Sequence, residues 1–250
     1  MKQPPSPPAR FPELTTGRFA LVLAVLVFVT FAEIIVGDRT TSTNDFWYFG
    51  YPLANHLKTS VLDGELPLWN PLSECGIPFL AQWNTLSLYP GSLFYIAFPL
   101  EWSLAVFCVL HLYLGGMGAW FLARHLTRDP LAAGVAGLIY TFSGFMQACL
   151  MWPNNTAALG WAPWVWWLVI AGTRDGGRLL VLGALVGAMQ MLTGAPEIIL
   201  ATWICWRDLS HRTRGDWIDR GGDHICSASA AWSAWWHCWL PPSSCRFWTC

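Results

Sequence analysis

The sequence predicts an all-α integral membrane protein, and three observations carry that prediction. Charged residues make up 12% of the 250 and hydrophobic residues 54%, whereas soluble chains carry about 25% charged residues. Mean hydropathy is +0.40. Apolar runs of membrane-crossing length recur along the chain, a helix needing roughly 17–25 apolar residues to cross a hydrocarbon core about 30 Å thick. The near-balance of 14 basic and 15 acidic residues excludes a nucleic-acid binder, which shows a basic excess. Eight cysteines do not make a disulfide scaffold, because such scaffolds are short, secreted and polar.

Residues 1–18, Pro-rich from Met1 to Arg10, read as a disordered cytoplasmic tail. The first apolar run, Phe19–Val36, is interrupted only by Glu33. It is too long for a signal-peptide core and no small-residue cleavage site follows, so it reads as an uncleaved anchor. A large outer loop, Gly37–Glu101, comes next. Within it Leu86–Leu100 is apolar but broken by Pro90 and Gly91, which fits a re-entrant or interfacial segment better than a crossing. Four further crossings follow: Trp102–Leu122, Leu131–Trp152, Ala157–Gly172 and Leu179–Trp203. Ala157–Gly172 is short and rich in Trp, which places its ends in the membrane interface. Residues 19–203 thus form a membrane domain of about five transmembrane helices.

Cytoplasmic loops retain Lys and Arg. With the N-terminus inside, Lys2, Arg10, Arg18, Arg124, Arg128, Arg174 and Arg178 all fall inside, and only Arg39 and Lys58 outside. One orientation satisfies every loop.

Residues 204–250 follow different rules. By parity the chain leaves Trp203 on the outside, yet Arg207, Arg212, Arg214 and Arg220 follow at once. The hydrophobic period fades, and five of the eight cysteines and eight tryptophans fall after Leu200. Codons for Trp and Cys both begin with TG, so a GC-rich gene read out of frame yields such a composition. The tail reads as aberrant, the product of a frameshift. A zinc site on His224, Cys226, His237, Cys238, Cys245 and Cys250 is the sharper alternative, but structural zinc sites show ligand pairs about two to four residues apart and no CxxC occurs here.

The outer loop is where chemistry is expected. Its six acids, Asp38, Asp45, Asp63, Glu65, Glu74 and Glu101, outnumber Arg39 and Lys58 by four charges. Long loops with organised aromatic and Pro content are more often functional than mere connectors. Asp63, Glu65 and Glu101 read as solvated loop acids. Asp45 differs: Phe46, Trp47, Tyr48 and Phe49 follow it and are expected to crowd it against the membrane surface. Partial desolvation raises a carboxylate's pKa and makes it a better base.

Several short motifs fall in a definite order: Asp45 soon after the first helix, Gly64–Pro71 ("GELPLWNP"), Gly76–Pro78, and a polar stretch Ala81–Pro90 ending in Tyr-Pro. "YTFSG" at Tyr140–Gly144, the Asn154-Asn155 turn before Trp161–Pro163, and "LTGAPE" at Leu192–Glu197 follow. In this order the chain resembles, over about residues 38–203, the YfhO-like bacterial integral membrane proteins. That family is similar to the GT-C glycosyltransferases, many-helix enzymes that move a sugar from a polyprenyl-phosphate carrier to an acceptor outside the cytoplasm. The resemblance implies a GT-C-like fold, truncated to its N-terminal portion, in the bacterial cytoplasmic membrane. It implies a polyprenyl-phosphate-linked sugar and the lipid bilayer as partners, with no nucleic acid. An acidic residue of the first outer loop is the family's catalytic base or metal ligand, and here that role falls on Asp45. Some GT-C enzymes pair two acids, whereas the neighbour of Asp45 is Asn44 and the nearest other acid is Asp38; this departure counts against a metal-dependent mechanism, so a divalent metal is possible but no metal ligand set is assigned. Family members often carry Gln where this chain has Asn84, with Gln82 close by.

In the implied chemistry the acceptor hydroxyl loses its proton to Asp45 as it attacks the anomeric carbon, and the polyprenyl phosphate leaves. One base and a stabilised leaving group suffice. Positive charge for the phosphate would come from Arg39 and Lys58, which equally read as solvated loop charges. Trp69, beside Asn70 in "LWNP", and Trp83 offer faces for a sugar ring, although anchoring at the interface is the stronger reading. Within the apolar runs Glu33, His111, Gln147 and Glu197 are polar, and intramembrane ionisable groups are functional candidates by default. Glu33 reads as solvated and His111 as a packing partner of a neighbouring helix. Glu197 follows Gly194-Ala195-Pro196, a break that unwinds the helix and exposes backbone to a cavity, which makes it a second-rank site residue. Gly115, Gly116, Gly118, Gly183 and Gly187 read as close-packing surfaces. Two alternatives stand beside the transferase. One is a multi-pass transporter or flippase, suggested by the broken helix at Gly194–Pro196. The other is an inactive fragment, because the family carries many more helices than five.

Overall fold

The computed structural model describes residues 14–37, 45–73, 75–175 and 177–215. The chain divides into two compact units, Met1–Ile204 and Cys205–Cys250, and the account below concerns the first. Of the tail predicted to be aberrant, only the helical backbone as far as Gly215 is described; the rest, with the candidate zinc ligands, lies outside the described residues.

The described fold is helical, apart from a hairpin of two short strands. Helix α1 (Thr16–Thr30) leads into the single turn α2 (Ala32–Ile35). Asp45 opens a π-helix, Phe46–Gly50, that runs straight into α3 (Tyr51–Leu62). Strands β1 (Trp69–Asn70) and β2 (Ile77–Pro78) pair antiparallel, Trp69 opposite Pro78. A 3-10 turn at Trp83–Thr85 precedes α4 (Ser92–Ala97), then α5 (Leu100–Thr127), α6 (Pro130–Phe142), α7 (Gly144–Ala148) and a 3-10 turn at Cys149–Met151. Helices α8 (Pro153–Asp175), α9 (Arg178–Leu192) and α10 (Pro196–Gly215) complete the described residues.

Among the described residues two stretches are long and apolar enough to cross a membrane, Leu100–Thr127 and Pro130–Met151. Thr16–Thr30, Arg178–Leu192 and Pro196–Cys205 are shorter apolar helices. Helix α5 is the centre of the bundle: its apolar stretch is 72% buried, against 33% for Pro130–Met151. The segment Leu86–Leu100 holds only the six-residue α4, about 9 Å of helix, too short to cross.

Side-chain contacts give the direction of each helix. Phe19 stacks on Trp120 at 4.4 Å between centroids, and the Trp102 indole donates to the Ile35 carbonyl at 2.9 Å, so α1–α2 and α5 run antiparallel. Gly116 faces Thr141 and Gly137, while Gly134 faces Trp120, so α5 and α6 are antiparallel as well. The sharp reversal between them is built by Arg128 in a left-handed conformation (φ 58°) and by Asp129, whose Oδ1 accepts from the Leu131 N–H at 2.8 Å, an N-cap ahead of Pro130. Gly115 lies on Gly160 and Gly118 on Trp164, so α5 and α8 run in the same direction. Gly172 meets Leu180 while Gly183 packs on Leu168 and Val169, which makes α9 antiparallel to α8. In each pair a glycine admits the neighbouring helix at close range, the packing expected between helices that lack a hydrophobic driving force. The alternation puts Arg18, Arg124, Arg128 and Arg178 at one end of the bundle and residues 45–99 at the other.

Two expectations are corrected here. Leu179–Trp203 is not one crossing. The helix stops at Thr193, Gly194 takes φ +68°, and α10 turns back: Gln190 Nε2 donates to Thr202 Oγ1 at 2.9 Å and Gly187 meets the Trp203 ring. From Pro196 to Ile204 the chain therefore heads towards the arginine end, opposite to the exit that parity assigned. Hydropathy is blind to this reversal, because both arms of the hairpin are apolar. Nor is the Trp-rich crossing short. Helix α8 has 23 residues, and three of its indoles turn inward: Trp161 donates to Tyr89 Oη, Trp164 to the Leu114 carbonyl and Trp166 to the Thr202 carbonyl, each at 2.8 Å.

Candidate functional site

Four chain segments meet at the loop end of the bundle. The π-helix that starts at Asp45 brings Gly50 against Pro153, with its Cβ position 3.0 Å from the proline Cδ. Asn154, buried at the start of α8, donates through Nδ2 to the Gly194 carbonyl at 3.4 Å and to Asn155 Oδ1 at 3.0 Å. Gly194 in turn sits directly on the Trp83 carbonyl, with no room for a side chain. A left-handed backbone and this close approach both demand glycine at 194. The outer loop is thereby fixed to the α9–α10 turn and to the start of α8.

Between these segments lie two spaces that share Thr85 and Leu86 as a wall. A small chamber of about 10 Å³ is enclosed by Phe49, Gly50, Asn84, Leu104 and Asn154, among others; that is near the smallest space able to hold one water. An open cleft of about 240 Å³ runs between Leu80–Leu88 and Met191–Gly194. Glu197, half-buried in the first turn of α10, is within electrostatic reach of the Cys149 thiol, which places it beside the turn that leads to Asn154.

The predicted site residues divide accordingly. Asn84 lines the chamber and Gln82 the cleft, while Glu197 lines neither. Asp45 opens the helix whose end walls the chamber. It is exposed rather than crowded by aromatic rings. Of its four neighbours only Phe46 turns into the core, at 0% exposure, while Tyr48 is 82% exposed. One helical face buries one ring in four, so a run of aromatics cannot enclose the residue before it. Partial burial, with the Glu101 carboxylate nearby, pushes the Tyr51 hydroxyl above its ordinary range, keeping it a hydrogen-bond donor beside Trp47.

Lys58, Trp69 and Asn70 have structural work. The Lys58 ammonium donates to the Tyr95 carbonyl at 3.2 Å and to the Phe98 carbonyl, closing the C-terminal end of α4 with positive charge where the helix leaves its carbonyls unpaired. Asn70 is buried; its Oδ1 accepts from the Leu72 N–H and its Nδ2 donates to Ser73 Oγ, both at 3.0 Å, an Asx turn. Trp69, 56% exposed, lies across Gly76 in the hairpin. Arg39 lies outside the described residues. No group of three His, Cys, Asp or Glu able to hold a metal occurs among the described residues.

Sequence reasoning missed the feature that holds this end together. Tyr89 descends from the outer loop into the bundle and meets His111, whose Nε2 is 2.6 Å from its hydroxyl. His111 Nδ1 faces the Phe107 carbonyl at 2.8 Å. A carbonyl only accepts, so Nδ1 carries the proton, Nε2 accepts from Tyr89 O–H, and the tyrosine oxygen accepts from Trp161. Every polar atom of this buried chain is paired. His111 does lie against the neighbouring α8, where Gly160 meets its backbone and Cβ, but its ring hydrogen bonds go to the outer loop and to its own helix. The signal available was Tyr-Pro at the close of the polar stretch, next to an apolar run too short to cross.

Removing the tyrosine hydroxyl leaves both the Trp161 N–H and His111 Nε2 buried without partners, at about 1–3 kcal/mol per group. Tyr89→Phe is expected to lower the thermal unfolding midpoint in detergent and to shift the tryptophan emission; an unchanged midpoint would show the chain of bonds to be idle. Comparison with protein-family models, with curated proteins and with solved structures finds no match to this chain.

Proposed function

We propose that the chain is the N-terminal part of a GT-C-type membrane glycosyltransferase, which transfers a sugar from a polyprenyl-phosphate carrier to an acceptor outside the cytoplasm. The observation that carries this reading is the convergence of the Asp45 helix, the Gln82–Thr85 turn, Asn154 and the Gly194–Glu197 turn at one end of an apolar bundle. The bundle would cross the membrane with α1, α5, α6–α7, α8 and α9, N-terminus cytoplasmic, because Arg18, Arg124, Arg128 and Arg178 gather at the opposite end. The YfhO-like order of motifs gives the reading its chemistry.

In that chemistry Asp45 takes the proton of the acceptor hydroxyl as the hydroxyl oxygen attacks the anomeric carbon. The bond from that carbon to the carrier phosphate breaks, and the phosphate leaves with the electron pair. An exposed carboxylate at a helix start is accessible to an acceptor from water or from the leaflet surface. Lys58, occupied with the α4 carbonyls, is left out of the phosphate-binding role in this version. A transporter is the second reading, favoured by the helix break at Thr193–Ala195, since transporters bind substrates at discontinuous helices.

Asp45→Asn is expected to cut sugar transfer from polyprenyl-phosphate sugar in membrane vesicles by about 100-fold or more, the usual contribution of a general base. Unchanged transfer would remove Asp45 from that role, and uptake of free sugar without any lipid-linked donor would favour the transporter. Sidedness can be read at Cys75, which is exposed in the outer loop while Cys108 and Cys149 are buried, once the exposed Cys205 and the tail residues Cys226, Cys238, Cys245 and Cys250 are changed to Ser. A membrane-impermeant maleimide added to intact cells is expected to label the protein, and Cys75→Ser to remove that label. Labelling of Cys75 only after the membrane is opened would invert the topology.

A further inference from the structure

The open cleft between Leu80–Leu88 and Met191–Gly194 has a chemical character of its own. No charged side chain lines it among the described residues. Its polar groups are neutral: the hydroxyls of Thr85 and Ser87, 2.7 Å apart, and the Gln82 amide. The Thr85 hydroxyl also reaches the Gln82 carbonyl at 3.3 Å. Among the described residues the Gln82 side chain makes no hydrogen bond to protein, which leaves two donors and one acceptor for a ligand.

The rim of the cleft continues into an apolar track. Val181, Leu185, Ala188 and Leu192 share one face of α9 at spacings of three and four residues. All four are exposed, Val181 by 61% and Leu185 by 58%. From Leu185 to Leu192 the track is about 10 Å long at the helical rise, inside the depth of one leaflet, about half of a 30 Å hydrocarbon core; Val181 lies beyond it, three residues from Arg178. It ends at Met191 and Leu192, which are themselves cleft walls. An apolar track that leads through the outer part of α9 to an uncharged, hydrogen-bonding cleft is the shape of a lipid with its headgroup seated.

The geometry points to a neutral, hydroxyl-bearing lipid of the outer leaflet as the occupant, its acyl chain along α9 and its head at Gln82, Thr85 and Ser87. A carrier phosphate is disfavoured here, since a phosphate calls for cationic side chains or convergent N–H groups. The inference rests on the transferase reading only in making this lipid the acceptor. Thr85 and Leu86 separate the cleft from the chamber walled by Phe49 and Gly50, so a headgroup there lies one layer of residues from the end of the Asp45 helix.

The test is photolabelling of the whole chain in proteoliposomes with no sugar donor. One probe is a monohexosyl diacylglycerol with a diazirine in its acyl chain; the other is phosphatidylglycerol with the same chain. The expected result is preferential capture of the neutral probe on residues 185–192. Gln82→Leu is expected to reduce that capture about fivefold or more, the loss of at least one hydrogen bond, and Leu185→Gln to reduce it through the track. Equal capture of both probes, capture spread over the exposed face of α1, or indifference to both substitutions would overturn the proposal. Asp45→Asn is expected to leave capture intact, so a failed cleft and a failed catalytic assignment give different results.

Discussion

The arrangement of the loop end depends on one line of buried hydrogen bonds, from the Trp161 indole through the Tyr89 hydroxyl and the His111 ring to the Phe107 carbonyl. His111 lies eleven residues from the start of α5, about 16 Å down its axis. At that depth water is scarce and an unpaired polar group is expensive. The cheapest arrangement pairs all three side chains, and that is possible only when the outer loop is threaded down between α5 and α8. The same pressure acts along the rest of α8. Trp164 and Trp166 each need an acceptor, and each finds one on a different neighbour, α5 and α10. The tryptophans thus act as cross-ties within the bundle.

With Tyr89 fixed, the remaining contacts of the loop end follow in sequence. Ser92 and Tyr95, three residues apart on α4, are joined by a 2.8 Å bond, and Ser92 Oγ donates to the Leu86 carbonyl at 2.7 Å, so the segment folds on itself before α5 begins. Lys58 closes the far end of α4 and ties α3 to it. On the other side the Gly194 turn presses on Trp83 and is held by Asn154. The outer loop is therefore gripped at three places, by α5 and α8 at Tyr89, by α3 at Lys58 and by the α9–α10 turn at Trp83. Chemistry at Asp45, and a ligand in the cleft, would both sit on this braced assembly rather than on a mobile connector. The preorganisation of groups on rigid elements is what sugar transfer from a lipid carrier requires.

The legible part of the fold was the part governed by bulk hydropathy. The apolar stretches of α5 and α6 were visible because both arms are long and the Arg128-Asp129-Pro130 reversal between them is polar. The short Leu86–Leu100 segment was legible from Pro90 and Gly91. The glycines of α5 and α9 were legible as packing surfaces, since small residues at helix spacing have few other uses in an apolar run. The sense of α10 was not legible: a hairpin of two apolar arms and a single apolar helix have the same composition, and only the left-handed Gly194 separates them. The inward turn of the α8 tryptophans was not legible for a related reason. Composition reports that an indole is present but not which way its N–H turns, and an interfacial reading needs only the former. Of the candidate site, Gln82, Asn84 and Glu197 were found through motif order; the first two line adjoining spaces, and Glu197 stands three residues beyond Gly194 in the first turn of α10. Lys58 and Asn70 were found for their chemical type, and both turn out to serve the local backbone. Such competition between local and functional hydrogen bonding is decided by three-dimensional neighbours that a single sequence does not name.

The central claim is that residues 86–99 belong mechanically to the bundle. Amide hydrogen exchange on the membrane-embedded chain tests it most directly, because protection reports how far a segment opens independently of its surroundings. The account predicts that amides from Leu86 to Phe98 exchange as slowly as those of the first turns of α5, and far more slowly than those of Asp63–Leu68 in the same loop. Exchange of Leu86–Phe98 at the rate of Asp63–Leu68 would contradict it, and would return the outer loop to the status of a loose cover over the helices.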